Sequence, residues 1–410
     1  GSVQVNGKPV TLAASMTRNR ISGNVKDFDL DVQGINFSMG AADTTAHIGK
    51  PGGDVWDDMR ISGEGEVELG GSAGRDGKPK GVSAKLTLTN GIFKYLDYPQ
   101  SAISGTLNLE QTVGTRKVEL RPSKLKLGGL DMSFNGAFGP APDGSAGTDG
   151  KPAYRFELVT SEAVSAPRDS PERPVPFGAR VAGLYIPSER NLAFQEIALR
   201  TFGGELYGQG SVIFGRGSPG MVFGLRIPKM PVAEVKQLWP LPVADGARRW
   251  ILPNIFGGMV TGGSIDIAFA PGRFTSSDDP PPLGPDEVKV DADVENTRFD
   301  VLGDLPAVRE ASGHVAVRGA HATVELKNGT AYMPDNRTAE ISNGHLDIPW
   351  GPQRPVIAGL NIDVKGEAGA IARIVGYKPI NALRYVDFGP DDVSGAVSSH
   401  IDVQFPITAH

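Results

Sequence analysis

Apolar and polar residues alternate with a period of two along most of this chain, and that alternation predicts strands. Val82, Ala84, Leu86 and Leu88 alternate with Ser83, Lys85, Thr87 and Thr89. Val288, Val290, Ala292 and Val294 alternate with Lys289, Asp291, Asp293 and Glu295. Further strands are predicted over 61–69, 106–110, 117–120, 124–127, 130–134 and 154–159, with more between 178 and 227. The dipeptides Asn90-Gly91, Asn328-Gly329 and Asn343-Gly344 read as hairpin turns, because a type I′ turn needs φ > 0 at both central residues.

Two stretches break the period. In the first, Pro231 suits an opening helical turn, and Val232, Val235, Leu238 and Trp239 then share one face. Pro240 and Pro242 stop that helix. A second one, over 244–252, carries Ala247, Trp250 and Ile251 on its apolar side, before Pro253 and Gly257, Gly258, Gly262 and Gly263 return the chain to a strand. The plan recurs near the end, with Ala370, Ile371, Ile374 and Val375 on a short helix and a Pro-broken second helix through Leu383 and Tyr385. The strand Ile401, Asp402, Val403, Gln404, Phe405 echoes Ile265, Asp266, Ile267, Ala268, Phe269 about 136 residues earlier, as an array of repeated units would.

Strands with one apolar and one charged face belong to a sheet with one wet side. Two architectures satisfy this pattern: successive closed sandwiches, or one extended sheet curled so that its apolar face lines a groove. We expect the second, an all-β, elongated and curved antiparallel sheet of repeated hairpins, a taco-like β-groove with two short helical hairpin inserts. Its expected segments are 1–138 (β-repeat), 139–177 (loop-rich, one strand), 178–275 (β-repeat with a helical hairpin at 231–254), 276–286 (Pro-rich loop) and 287–410 (β-repeat with a second helical hairpin at 368–388).

Composition fits this picture. The chain has 410 residues, and its Gly 54 and Pro 32 make up about a fifth of them, as many short strands and turns require. A formal net charge of -6 and the lack of any Lys/Arg stripe argue against a nucleic-acid partner. Cys 0 removes disulfides, thiolate catalysis and Cys-type zinc sites. No run of 18 or more apolar residues is present in the sequence. Gly1-Ser2 reads as a cloning remnant, and we expect the chain to be a soluble piece of something longer.

Trp239-Pro240, Ala247-Arg248-Arg249-Trp250, Asn254-Ile255, Gly257-Gly258 and a strand opening at Val260 together resemble the helical-hairpin signature of AsmA-like proteins, most closely the YhdP branch of Gram-negative envelope proteins. Asn90 to Tyr95 followed by Tyr98-Pro99, and Asn296 to Val301 followed by Leu305-Pro306, are similar to that family's repeated strand opening. The resemblance covers roughly 178–405 well and the earlier part loosely. It implies a periplasmic β-groove that conducts phospholipid between inner and outer membrane, anchored to the inner membrane by an N-terminal helix that this chain lacks. Envelope or outer-membrane proteins are its implied partners.

Motifs for other chemistry fail on context. Gly70-Gly71-Ser72-Ala73-Gly74 fits G-x-S-x-G, but a loop follows where a nucleophile elbow needs a helix. Gly215 to Gly220 fits G-x-G-x-x-G, yet a strand follows instead of a helix N-terminus to hold pyrophosphate. His47, His314, His321, His345, His400 and His410 show no metal-ligand spacing, so we expect no metal or other cofactor. Asp278-Asp279 and Asp286-Glu287 lack the calcium-loop pattern and read as solvated. No catalytic residue is proposed. The expected groove lining is Leu86, Leu88, Leu107, Leu109, Ile265, Ile267, Phe269, Val288, Val290, Val294, Val315, Val317, Val403 and Phe405. Leu238, Trp239 and Trp250 belong to the helical hairpin, where the two tryptophans either pack it onto the sheet or line the groove mouth. Two further functional readings are a scaffold of closed β-sandwiches for envelope partners and a carbohydrate-active enzyme. The second needs convergent carboxylates and aromatics, and the aromatics here are dispersed.

Overall fold

The computed structural model describes residues 2–5, 8–17, 20–26, 28–32, 35–39, 45–46, 59–73, 78–95, 101–115, 117–142, 150, 152–214, 218–239, 245–273, 282–300, 304–349, 355–378 and 380–407. Strands ahead of Gly70 are described by their backbone alone. The first group is β1 (Ser2–Val5), β2 (Lys8–Thr17), β3 (Arg20–Lys26), β4 (Phe28–Val32), β5 (Ile35–Met39) and β6 (Thr45–Ala46). Next come β7 (Met59–Ala73), β8 (Pro79–Tyr95), β9 (Ser101–Thr112), β10 (Val118–Leu127) and β11 (Leu130–Pro140). They are followed by β12 (Tyr154–Ser165), β13 (Val175–Ile186), β14 (Asn191–Thr201) and β15 (Glu205–Ile213). The last part holds β16 (Gly220–Pro231), α1 (Val232–Leu238), α2 (Asp245–Asn254), β17 (Ile255–Phe256), β18 (Met259–Phe269) and β19 (Val288–Phe299). It ends with β20 (Val308–Arg318), β21 (His321–Tyr332), β22 (Thr338–Pro349), β23 (Val356–Glu367), α3 (Ala368–Gly376) and β24 (Ala396–Ile407).

From β7 to β24 the strands pair antiparallel in chain order, except that β16 pairs with β18 and short β17 lies beside β19. β1, β2 and β3 extend the same sheet beyond β7, while β4 and β5 form a separate pair. The sheet is open: β24 is bonded to β23 and does not close back onto an earlier strand among the described residues. This is the all-β antiparallel class with short helical inserts that the alternation implies.

Flat, the eight long strands from β16 to β24 would span about 34 Å at a strand spacing of ~4.8 Å. Phe299 on β19 and Ile362 on β23, four strand spacings apart, nevertheless border one cavity of about 90 Å³ together with Trp250 and Ile374. The sheet therefore curls over this stretch. α1 and α2 occupy the connection between β16 and β18, and α3 that between β23 and β24, so each helical insert joins two strands adjacent in the sheet. Both inserts stand at the same end of the strands.

The structure corrects several sequence expectations. None of the three Asn-Gly pairs makes a hairpin turn. Asn90-Gly91 lies inside β8, Asn328-Gly329 inside β21 and Asn343-Gly344 inside β22. Asn90, Asn296 and Asn343 have φ of 50°, 53° and 48°, and each coincides with a register shift to a neighbouring strand. An αL residue in a strand that continues on both sides makes a β-bulge, and only a chain that reverses makes it a turn. The stretches 117–120 and 124–127 are one strand, β10, shifted in register between Leu120 and Ser123. Pro253 lies within α2 rather than after it. Of the second hairpin, α3 forms with Ala370, Ile371 and Ile374 buried, but its partner is one 3₁₀ turn, Ala382–Tyr385, with Tyr385 exposed.

Candidate functional site

Directly paired residues of neighbouring strands project to the same face of a sheet. Read through the register, this gives a single apolar row crossing the molecule. Leu109 pairs with Leu120, Leu120 with Gly136, Gly136 with Leu158, Leu158 with Val181, and Val181 with Ile197. Beyond Gly208 it continues through Leu225, Ile265, Val290 and Val317. A parallel row runs Val315, Val324, Leu346, Leu360, Val403. Leu86 and Leu107 pair with each other, as do Ile267 and Val288. All fourteen residues expected to line a groove thus lie on one face of one sheet.

That face has two states of burial. Leu86, Leu88, Leu107 and Leu109 on β8 and β9 are half-buried, Leu158 is 39% exposed and Val82 is 53% exposed. Further along, Phe269, Val288, Val294, Val315, Val317 and Phe405 are buried, while Ile265, Ile267, Val290 and Val403 are half-buried. In the less covered part, three rings form a ladder that sequence reasoning missed. Phe156 meets Phe194 edge-on at 5.6 Å between ring centroids, and Phe194 meets Phe223 at 5.6 Å. Gly183 and Gly210 stand on the strands between them. A Cβ on Gly183 would lie 2.9 Å from the Phe156 ring, and one on Gly210 would lie 2.3 Å from that of Phe223. The rings cross because those two strands carry no side chain there. Phe opposite Gly at the same register was the available signal, but register is invisible before strands are paired.

In the covered part the helices supply the filling. Val232, Ala370, Ile371 and Ile374 join the same cluster as Ile227, Val294 and Ile341, with Val235, Leu238, Trp250 and Ile251 packed against it. Leu238 and Trp250 therefore pack onto the sheet. Trp239 follows α1 in an extended conformation and is half-buried. Between α2, α3 and the strands β20 to β23 lies an apolar cavity of about 90 Å³, bordered by Trp250.

The hairpin is held by polar contacts that the apolar pattern does not show. Lys236 and Arg248 are each only 1% exposed. Arg248 grips Asp169 with Nε and a terminal nitrogen at 3.0 and 2.8 Å, and donates to the Trp239 carbonyl at 2.9 Å. Lys236 donates to Glu172 at 2.6 Å and to the Ile255 carbonyl at 2.7 Å, with its ammonium 4.3 Å from the Phe256 ring centre. Gln237 donates to the carbonyls of Glu172 and Arg173. The Pro-rich stretch between β12 and β13, a plain polar loop by sequence, is thus the strap that fixes α1 and α2. The hydrogen bond from Arg248, opposed in part by burial, holds the Asp169 carboxyl below its ordinary value.

Elsewhere the polar groups pair locally. Asp286 bonds Lys289 at 2.7 Å, and Glu287, which is not solvated as expected, is part-buried against Arg273 and accepts from the Gly284 amide. His321 and His400 meet Asp347 and Asp363. Among the described residues no group of three or more His, Asp or Glu is placed to hold a metal ion, and no helix is long and apolar enough to cross a membrane. Gly74, Gly215, Asp278 and Asp279 lie outside the described residues, as do His47 and His410. No known protein family, no curated protein and no solved structure matches the chain. The resemblance to AsmA-like proteins rests on the quoted residues alone.

Proposed function

We propose that this chain is the periplasmic segment of a bridge-like lipid-transfer protein, which binds phospholipid acyl chains along its apolar face for passage between inner and outer membrane. The observation that supports the reading is the cross-strand row of apolar side chains, spaced by Gly136 and Gly208, whose first part, β8 to β15, is half-buried to exposed. Each methylene removed from water is worth about 0.8 kcal/mol, so a row of Leu, Val, Ile and Phe side chains can solvate an acyl chain without one strong polar contact. Such a surface lets a lipid slide, since no single position holds it much more tightly than the next. No reaction chemistry is assigned to it. In the full protein, an N-terminal helix outside this sequence would anchor the segment to the inner membrane, and envelope proteins would receive the lipid at the far side.

The test is native mass spectrometry of the purified chain with organic extraction of what it carries. Several phospholipids per chain, lost in Leu109→Asp, support the reading; a lipid-free chain that takes up no added phospholipid removes it. A structural module for envelope partners is the second reading. The filled core of β16 to β24 favours it for that part, and it predicts protein partners without copurifying lipid.

A further inference from the structure

We propose that the open edge of β24 pairs with β24 of a second copy of this chain, antiparallel about a two-fold axis through Ile401. Among the described residues β24 is hydrogen-bonded along one side only, to β23. Natural sheets blunt such an edge with a short strand, a bulge, or Lys and Pro along it. β24 is twelve residues long, holds unbroken register with β23 and carries no Lys or Arg, and its one proline, Pro406, stands next to its end. The strand is also held in place. Ile401 and Phe405 are only 8% and 4% exposed, each within an apolar cluster. Pairing therefore adds a row of backbone hydrogen bonds without first ordering a loose segment.

The side chains select both partner and register. Ile401, Val403 and Phe405 share the apolar face, and His400, Asp402 and Gln404 the wet one. Antiparallel partners lie on the same face, so a shift by one residue sets apolar side chains against polar ones. Of the registers that keep the faces together, only the axis through Ile401 sets opposite charges against each other, with His400 of each copy beside Asp402 of the other. An axis through His400 leaves two histidines face to face, and one through Asp402 two carboxylates. Asp363 meets Nδ1 of His400 at 2.7 Å and positions the ring, while 63% of that side chain is exposed. The axis through Ile401 also covers Val397, 38% exposed, with Phe405 of the other copy. A second copy meets these matches by symmetry, whereas an unrelated strand meets them only by chance. The dimer joins the covered ends of two sheets and leaves β8 to β15 at the far ends, whatever those strands bind.

The experiment uses the whole chain, which has no cysteine of its own, in sedimentation velocity and in oxidative cross-linking of single-cysteine variants. The native protein is expected to show a monomer–dimer equilibrium. Ile401→Cys should give a disulfide-linked dimer, because a residue on the axis meets itself. His400→Cys and Asp402→Cys should not, since each lies more than about 7 Å from its own copy, beyond disulfide reach. Asp402→Lys should weaken the dimer at least about tenfold, and His400→Glu combined with Asp402→Lys should restore it to within about threefold, because both pairs are then reversed. These last two changes lie on the wet face and keep the proposal testable if Ile401→Cys does not fold. A native chain that stays monomeric, as it would if the edge served a strand of another protein, overturns the pairing. So do cross-links at position 400 or 402, undiminished association of Asp402→Lys, or no recovery in the double variant.

Discussion

Strands β8 to β15 and strands β16 to β24 carry the same alternation, the same antiparallel pairing and the same apolar face, yet only the second group buries it. Before Ile227 the buried apolar side chains among the described residues are Ala153, Phe156, Ala163, Val175 and Ala182. From Ile227 onward the face fills two clusters. The strands do not make this difference; their connections do. β16 reaches β18 through α1 and α2, and β23 reaches β24 through α3, and those helices lay Val232, Trp250, Ile371 and Ile374 over the sheet. Among the described residues no α-helix joins the strands before β16. One sheet thus offers an apolar surface at one end and a core at the other.

The sharpest way to break this comparison is to place the same charge in both parts. Val317→Asp buries an unpaired carboxylate at a fully covered position and should cost at least about 4 kcal/mol. Leu109→Asp, at a half-buried position, should cost under about 1 kcal/mol while removing bound lipid. Equilibrium urea unfolding of both variants checks this, and equal costs would erase the distinction between the two parts.

Next in size is the strap. Glu172→Ala leaves the buried Lys236 ammonium without its carboxylate and is expected to cost about 3 kcal/mol. Near-wild-type unfolding would mean that α1 is held by its apolar contacts alone.

The bulges give a smaller effect. Asn296 at φ 53° should tolerate Gly with little change, whereas Asn296→Val should lose about 1 to 2 kcal/mol. If Val were tolerated, the αL conformation would not be a requirement of the sheet.

The smallest effect concerns acid. Asp169 has a folded-state value below the ordinary one of about 3.9, so its contribution is fully present above that pH. It is lost as pH falls through the lowered folded value. Because the Asp169 side chain is 46% exposed, the loss should stay under about 1 kcal/mol. Tryptophan fluorescence between pH 5 and pH 2, compared with Asp169→Asn, reads it; the variant should lack the acid-dependent step.

What the sequence by itself determined was local. The period of two assigned the strands, and it placed Leu86, Val290, Val317 and the other aliphatics on one side of each strand, because alternate residues of a strand must face opposite ways. The break at Pro231 and the return at Gly257 and Gly258 marked the helical insert for the same kind of reason. Three things were decided only by the tertiary structure. Asn90, Asn296 and Asn343 became bulges rather than turns because the chain on either side stayed paired, which no dipeptide encodes. Phe156, Phe194 and Phe223 became a ladder because register set them across Gly183 and Gly210. Asp169 and Glu172 became the anchors of a helix pair because Lys236 and Arg248, more than sixty residues away, were brought against them. Whether an apolar face is a surface or a core depends on what covers it, and cover is a contact between distant parts of the chain that periodicity along one strand does not contain.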